Sequence, residues 1–245
     1  MSAQAKNRLL PENFYPLSLS LKDKEVLVFG GDLAACNELL RLLEAGASVT
    51  VVAAAFVSEI QELHVSYGNR LELVRVSEVK YLEKCQGLSR FSLVFALSSS
   101  EMANENAAAL AASSGVPIYR LGYNGSGQGS NFVPVTIFKR GHVKIAVSTD
   151  GICPPLETAL MQRIEEVLAS DFDRYSLFVD SVSEQLNSYS VESQVGESSQ
   201  TWTAMKTSEA LASALSRNNF EEALGIIRQL QMRTAAGEQD NEEAV

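Results

Sequence analysis

Residues 25–35 have the sequence Glu-Val-Leu-Val-Phe-Gly-Gly-Asp-Leu-Ala-Ala, and this stretch decides the fold. Apolar residues lead into a pair of glycines, and a segment rich in alanine and leucine follows. A strand, a glycine turn and a helix in this order begin a dinucleotide-binding βαβ unit, in which the helix N-terminus holds a pyrophosphate. The stretch therefore predicts a Rossmann-like domain.

The glycine pattern of this turn is incomplete. In the pattern G-x-G-x-x-G/A, Gly30 takes the first position and Ala35 the last, but Asp32 replaces the middle glycine. That glycine normally lets the backbone approach the phosphates, and a carboxylate in its place repels them. Alternatively, Asp32 is the N-cap of the helix, so that the protein's own carboxylate fills the anion position. Of these two interpretations we favour the cap.

Strand and helix patterns alternate through the first half of the chain. The predicted strands are Val26–Phe29, Ser48–Ala53, Leu71–Val76, Ser92–Leu97 and Val116–Leu121. The predicted helices are Ala34–Ala45, Val57–His64 and Glu101–Ser113. This alternation predicts an α/β fold with a parallel, doubly wound sheet.

The second half has a different pattern. After a glycine-rich loop, Gly122–Ser130, we predict an antiparallel hairpin with strands Phe132–Phe138 and His142–Ser148 around Lys139-Arg140-Gly141. Predicted helices follow at Pro154–Ala169, Phe172–Leu186, Ser208–Ser216 and Asn218–Met232, and Asn187–Gln200 has the composition of a linker. We therefore predict four parts: a Rossmann-like domain (1–121), a hairpin region (122–150), a helical domain (151–233) and a disordered acidic tail (234–245).

Composition excludes several classes of function. The net charge of −10 argues against nucleic acid and anionic membranes as partners. No run approaches the length of a membrane span, and residues 1–10 lack the apolar run of a signal peptide. The three cysteines are far apart, and no C-x-x-C or H-x-x-x-H occurs, so we expect free thiols, a cytoplasmic location and no metal site.

Several linked segments together resemble one known family. They are Phe14–Leu17, Leu42–Ala53, Leu93–Ala96, Asn131–Pro134 and, most specifically, Ile145-Ala-Val-Ser-Thr-Asp-Gly-Ile-Cys-Pro154. These segments resemble the precorrin-2 dehydrogenase family, which includes the dehydrogenase and ferrochelatase module of siroheme synthase. The resemblance covers roughly residues 13–169.

The resemblance implies an NAD-binding Rossmann-like domain, a central hairpin region that forms a homodimer, and a helical part that closes over a tetrapyrrole. Members oxidise precorrin-2 to sirohydrochlorin with NAD, and many then insert ferrous iron. By this resemblance the cofactor-binding candidates are Gly30, Gly31, Asp32, Leu33, Ala34, Ala53, Leu97 and Ser98.

The chain departs from the family pattern where the chemistry is expected. An aspartate after the fifth strand is thought to act as the base in both steps, and its position here is Gly122. Ser148 and Asp150 are the remaining catalytic candidates, although an exposed turn is the simpler role for Asp150. The fourth strand ends in Leu97-Ser-Ser-Ser100, without the acidic residues of the family.

Three hypotheses follow from these residues. The first is a precorrin-2 dehydrogenase, with or without chelatase activity, and the second is a non-catalytic dimeric relative that binds a tetrapyrrole or acts as a scaffold. The third is a Rossmann domain of another family, such as a potassium-channel regulatory domain, and the segment Ser148–Pro154 argues against it. We expect a role in siroheme biosynthesis, as the resemblance implies, with weak or absent dehydrogenase activity.

Overall fold

A computed structural model describes residues 14–121, 129–168, 171–190 and 195–235. It divides the chain into two units. The first contains the described residues up to Val135 together with Asp150–Ile152, and the second contains Thr136–Thr149 and the described residues from Cys153 onward. The hairpin and the helices that follow it therefore fall in the same unit.

The first unit is built on a parallel sheet. Its strands are β1 (Glu25–Phe29), β2 (Ser48–Ala53), β3 (Leu71–Arg75), β4 (Leu93–Ala96) and β5 (Ile118–Arg120), in the order β3-β2-β1-β4-β5. Its helices are α1 (Leu33–Glu44), α2 (Ser58–Tyr67), α3 (Glu78–Lys84) and α4 (Glu101–Ser114). The sequence does not predict α3, whereas the parallel, doubly wound sheet is confirmed.

The two faces of this sheet carry separate apolar cores because alternate strand residues point to opposite faces. Val26 and Val28 of β1 pack with α1 and α2 in one core. Leu27 and Phe29 pack with α3 and α4 in the other. The helices after β1 and β4 thus cover opposite faces, which puts the topological switch point of the sheet between these two strands.

The second unit begins with the predicted hairpin. Its strands are β6 (Thr136–Arg140) and β7 (Val143–Val147), and Arg140 pairs with Val143. The turn is therefore Gly141-His142 and not Lys139-Arg140-Gly141, because Gly141 takes the positive φ of 54° that a two-residue turn needs. The predicted first strand also starts too early.

Helices complete the second unit: α5 (Pro154–Leu168), α6 (Phe172–Ser190), α7 (Val195–Thr207), α8 (Glu209–Ser216) and α9 (Phe220–Ala235). A small core forms where Leu211 and Ala214 of α8 meet Ala223 and Ile227 of α9. Of the helices that lie within the described ranges, none has both the length and the apolar composition needed to span a membrane.

The predicted linker Asn187–Gln200 is wrong where the structure describes it. Residues 187–190 continue α6, and residues 195–200 belong to α7, while 191–194 lie outside the described residues. The sequence does not indicate α7 because most of its residues are polar and only a few side chains pack it against the rest of the unit. Thr201 is buried and its hydroxyl lies 2.8 Å from that of Thr234, and Met205 packs against the core of α8 and α9.

The predicted tail begins inside a helix. Thr234 and Ala235 are the last two residues of α9, and the Thr234 hydroxyl donates to the Leu230 carbonyl at 2.9 Å. Residues 236–245, and residues 122–128 of the glycine-rich loop, lie outside the described residues.

Candidate functional site

The glycine turn after β1 lies in close contact with the backbone at the ends of the two neighbouring strands. Gly30 has a φ of +122°, and a Cβ atom there would lie 2.7 Å from the Leu97 carbonyl oxygen after β4. A Cβ atom on Gly31 would lie 1.9 Å from the carbonyl oxygen of Ala55, after β2. Only glycine fits either position, so the packing of the protein itself requires both glycines.

Asp32 is the N-cap of α1, as the favoured interpretation predicts. Its backbone is extended, and its Oδ1 atom accepts a hydrogen bond from the Ala35 N–H at 3.1 Å. This bond satisfies one of the four N–H groups that a helix start leaves unpaired. Asp32, Leu33 and Ala34 are all exposed, so the start of α1 is open to a ligand.

The residues after β4 are tied to the protein by their own hydrogen bonds. Leu97 is buried, and Asn104 of α4 clamps the buried Ser98 by accepting from its N–H at 3.0 Å and donating to its carbonyl at 2.8 Å. The Ser98 hydroxyl accepts from the Ser100 N–H at 3.1 Å and donates to the Glu78 carboxylate at 3.0 Å. Ser98 is thus held rigidly at the switch point.

The end of β2 has no acidic side chain. Ala53 is buried, and residues 54–56 are Ala-Ala-Phe. Arg75 is the register partner of Ala53 on β3, and its guanidinium lies over the Phe56 ring, 5.5 Å from the centroid. The group that binds a ribose hydroxyl at this place in many Rossmann domains is therefore missing from β2.

The end of β5 carries a buried charge that the sequence interpretation missed. The Arg120 guanidinium is fully buried, and it forms ion pairs with Glu101 and, at 3.3 Å, with Glu105 of α4. The backbone of Arg120 is fixed as well, because its N–H donates to the Ser130 hydroxyl at 2.8 Å. In the sequence, the feature that could have indicated this buried charge was an arginine directly after Ile118 and Tyr119 in an apolar strand. Gly122, two residues further on, lies outside the described residues.

The two remaining catalytic candidates lie at a turn after β7. Ser148 is exposed, and Asp150 has a φ of 54°. Gly151 follows with a φ of 77°, and Asp-Gly is a favoured pair where consecutive residues take this conformation. The turn geometry alone therefore accounts for an aspartate at position 150.

The most specific segment of the sequence ends in a buried hydrogen-bond cluster. Glu157 of α5 is 4% exposed. Its carboxylate accepts from the Thr149 N–H at 2.6 Å, the Thr149 hydroxyl at 2.7 Å and the Thr136 hydroxyl at 3.0 Å. The Thr149 hydroxyl in turn accepts from the Cys153 N–H at 2.9 Å, next to the start of α5. This cluster joins the hairpin to α5.

Two basic side chains of the hairpin bind acids of α6. Arg140 lies 3.1 Å from Asp173, and His142 lies 3.6 Å from Asp180. These pairs hold the hairpin turn against its neighbouring helix. They leave these two side chains less suited to binding the carboxylates of a ligand.

The cysteines do not form a reactive or metal-binding centre in the part of the chain that the structure describes. All three are free thiols, and no group of three or more His, Cys, Asp or Glu side chains in that part could hold a metal ion. Burial raises the pKa of the Cys36 thiol, and the charges of Glu59 and Glu62 raise it further. A thiol with a raised pKa is a poor nucleophile at neutral pH.

These features define the class of the first unit. A parallel sheet with a glycine turn at its switch point and an exposed helix start is a Rossmann-like domain of the dinucleotide-binding type. A family model described as "Putative NAD(P)-binding" matches residues 17–127.

Curated relatives then identify the family. Siroheme synthase of Gluconobacter oxydans (strain 621H) is 30% identical over 172 residues, which are 69% of this chain and 34% of that protein. Precorrin-2 dehydrogenase of Bacillus subtilis (strain 168) is 27% identical over 158 residues, which are 64% of this chain and 90% of that protein. The chain thus spans about a third of the siroheme synthase and most of the dehydrogenase.

A solved structure shows the same fold. SirC, a precorrin-2 dehydrogenase, superposes with a TM-score of 0.56 at 23% identity, covering 88% of this chain and 100% of that chain. The chain belongs to the family of precorrin-2 dehydrogenases and of the corresponding module of siroheme synthases, as a divergent member.

Proposed function

We propose that this protein acts in siroheme biosynthesis as an NAD-binding relative of precorrin-2 dehydrogenase, with weak or absent turnover. The observation that carries the proposal is the Gly30-Gly31 turn at the switch point between β1 and β4, beside the exposed start of α1. Ligands of open α/β sheets bind in the crevice at this point. The relatives add the substrate class, a tetrapyrrole, because they include precorrin-2 dehydrogenases.

The residues of the turn fit a dinucleotide at one cost. The turn and the amides of Leu33 and Ala34 would hold the pyrophosphate, and Leu97 and Ser98 would line the opposite wall. The Asp32 carboxylate occupies the Ala35 N–H and adds a negative charge beside the phosphates. When bound there, NAD⁺ would supply the hydride acceptor for oxidation of the tetrapyrrole.

The proposed weakness of turnover rests on the missing base. Proton abstraction needs a positioned acceptor, and Gly122 has no side chain to provide one. The carboxylates of Glu101 and Glu105 at the end of β5 are engaged by Arg120. Neither the loop after β5 nor α4 therefore offers a carboxylate dedicated to the substrate.

The first test is a titration of the purified protein with NAD⁺ by calorimetry. Removing a like charge beside the pyrophosphate is expected to be worth about 1 kcal/mol in water and more near a protein surface. We expect Asp32→Gly to bind NAD⁺ about tenfold more tightly than the parent. Its effect on stability is expected to be small, because glycine is itself an accepted N-cap residue.

A matched control separates the charge effect from the loss of a cap. Ser208 is the N-cap of α8, where its hydroxyl accepts from the Leu211 N–H at 3.2 Å. Ser208→Gly makes the same kind of change without removing a charge, and we expect it to leave NAD⁺ affinity unchanged. Equal affinities for the parent and Asp32→Gly would show that the carboxylate does not disfavour the cofactor.

The second test measures turnover. Precorrin-2 and NAD⁺ are mixed with the protein, and the absorbance of sirohydrochlorin is followed beside an active family member. We expect a rate at least about a hundredfold lower, since a positioned base typically contributes 10²–10⁴-fold. A comparable rate would overturn the proposed weakness and make the protein an ordinary dehydrogenase.

A second candidate function is a non-catalytic, tetrapyrrole-binding dimer. It is favoured by the absence of a side chain at Gly122 combined with the capping role of Asp32. This candidate predicts binding of sirohydrochlorin without turnover, even when NAD⁺ is saturating. Fluorescence titration with sirohydrochlorin distinguishes it from a protein that binds neither ligand.

We also propose that the hairpin forms a homodimer, as the family resemblance implies. The pair β6–β7 is a two-stranded sheet with no further strand on either edge among the described residues, and such a pair is marginal alone. Ile137 of β6 is 45% exposed. We expect Ile137→Glu to shift sedimentation from dimer to monomer, whereas Val65→Glu on the exposed face of α2 does not. A monomeric parent would refute the proposal.

The location proposed for the protein is the cytoplasm. The support is chemical: Cys36, Cys85 and Cys153 are all free thiols, and thiols persist in a reducing compartment. Fractionation of cells that express a tagged protein tests it. Recovery with a secreted or membrane fraction would contradict it.

A further inference from the structure

We propose that Glu78 supplies the carboxylate that binds a ribose diol of the cofactor, and that it makes the site selective for NAD over NADP. This inference rests on the proposed binding of a dinucleotide at the carboxyl edge of the sheet. It starts from a missing group: in many NAD-binding Rossmann domains an acid at the end of β2 binds the ribose hydroxyls. Here residues 53–56, at and after that end, are Ala-Ala-Ala-Phe.

Glu78 reaches the same crevice from a different strand. It follows β3 and is the first residue of α3, whose N-cap is Ser77. Its carboxylate accepts a hydrogen bond from the hydroxyl of Ser98, directly after β4, at 3.0 Å. In the sheet order β3-β2-β1-β4, this contact spans the carboxyl ends of β2 and β1. The carboxylate therefore lies at the switch point, where a dinucleotide is bound.

The surrounding contacts orient the Ser98 hydroxyl that binds the carboxylate. Asn104 holds the backbone of Ser98 at both its N–H and its carbonyl. The Ser98 hydroxyl accepts from the Ser100 N–H, so its own proton is directed to Glu78. Glu78 is half-buried and sits in the first turn of α3, where the helix dipole favours a negative charge.

The chemistry of this group suits a diol. A carboxylate has two oxygens with about four acceptor positions, and the bond from Ser98 uses one of them. The two hydroxyls of a ribose can both donate to what remains. A 2′-phosphate removes one of these donors and brings like charge to the carboxylate, so NADP binds less well.

The alternative is that Arg75 makes the site selective for NADP, and the same experiment distinguishes the two assignments. Its guanidinium stacks on Phe56 at the outer side of β2, and an arginine near this position accommodates a 2′-phosphate in NADP-binding domains. The hydrogen bond to Ser98 places Glu78 nearer to the switch point than a residue stacked outside β2. We therefore assign the selectivity to Glu78.

The test measures dissociation constants for NAD⁺ and NADP⁺ by calorimetry, using the full chain and, in parallel, its Asp32→Gly variant. Glu78→Gln keeps an oxygen that can accept from Ser98 but loses the charge. We expect the unchanged Glu78 protein to prefer NAD⁺ about tenfold or more, and Glu78→Gln to bind NAD⁺ about tenfold more weakly with most of the preference lost. Glu83→Gln, an exposed change on the same helix, is expected to alter neither constant.

Each outcome has one meaning. A change in the ratio of the two constants supports the inference, since a purely structural role of Glu78 would weaken both ligands alike. Unchanged constants in Glu78→Gln, or tighter binding of NADP⁺ than NAD⁺ in the parent, overturn it while dinucleotide binding stands. If neither the parent nor Asp32→Gly binds either dinucleotide, the proposed function of the site fails, and this inference fails with it. Circular dichroism of each variant verifies that it is folded.

Discussion

Replacing Glu157 by alanine gives the sharpest test of how the second unit is held together. The carboxylate is buried and accepts three hydrogen bonds, two from Thr149 and one from Thr136. These bonds connect both ends of the hairpin to α5. Without the carboxylate, the three donors lose their shared acceptor in a place that water reaches poorly.

The expected loss of stability can be worked out from the three hydrogen-bond donors that lose their acceptor. The Thr149 N–H cannot turn away, and stranding a buried N–H costs about 1–3 kcal/mol. The two hydroxyls can rotate toward other acceptors, so each contributes about 0.5–1 kcal/mol. Relief of a buried charge offsets part of the sum, and we expect Glu157→Ala to destabilise the unit by about 3 kcal/mol. Glu157→Gln keeps one acceptor oxygen and is expected to cost about half as much.

Urea unfolding followed by tryptophan fluorescence measures this unit directly. The single tryptophan, Trp202, lies in α7 of the same unit. With a slope of about 1.5 kcal/mol/M, a loss of 3 kcal/mol lowers the midpoint by about 2 M. Glu166→Ala, an exposed change on the same helix, is expected to shift it by less than about 0.3 M. A shift for Glu157→Ala no larger than that of the control would refute the reasoning. If Glu157→Ala is unfolded without urea, the midpoint of Glu157→Gln decides.

Three further changes test other parts of the structure. Gly31→Ala drives a Cβ atom to 1.9 Å from the Ala55 carbonyl oxygen, so thermal denaturation should show a loss of at least about 3 kcal/mol. Gly225→Ala in α9 meets no atom within 4 Å, so urea unfolding should show a gain of about 0.5–1 kcal/mol. Burial raises the pKa of Glu38, against the lowering effect of Arg41. Because the folded state then binds the proton more readily, the parent should gain stability over Glu38→Gln as the pH falls from 7 to 4.

Each of these three has a clear contrary result. A Gly31→Ala protein as stable as the parent would mean that the turn can move away from β2. Destabilisation by Gly225→Ala would mean that α9 packs more tightly at that point than the structure shows. A stability difference between Glu38→Gln and the parent that does not change with pH would contradict the raised pKa.

Local patterns were enough to predict the sheet. β2 is found at its predicted residues, Ser48–Ala53, because a run of β-branched residues bounded by glycine and alanine has few alternatives. The helix after β1 is displaced by one residue at each end. Gly115 was available as a helix stop, and it caps α4 in the left-handed conformation. Turns and apolar runs of this kind are encoded by neighbours in the sequence.

The contacts of the candidate site could not be predicted in this way. Glu78 and Ser98 are 20 positions apart, and Arg120 and Glu101 are 19 apart. Short polar segments also misled the prediction, since α3 has a single buried residue, Leu82, and α7 has the composition of a linker. In each case tertiary contacts determine the structure, and a pattern within a few residues does not contain them.

The resemblance to the family and the evidence for activity rest on different residues. Gly31 is needed because it presses against Ala55, and Thr149 is needed because it binds Glu157. Internal packing is sufficient to explain both, so their presence identifies the fold and the place of the crevice but does not by itself show that a ligand binds there. The positions that would face a ligand are the ones that differ, with a carboxylate at Asp32 and no side chain at Gly122. A cofactor titration therefore decides more about this protein than any further likeness to its relatives, because only the ligand contacts remain to be tested.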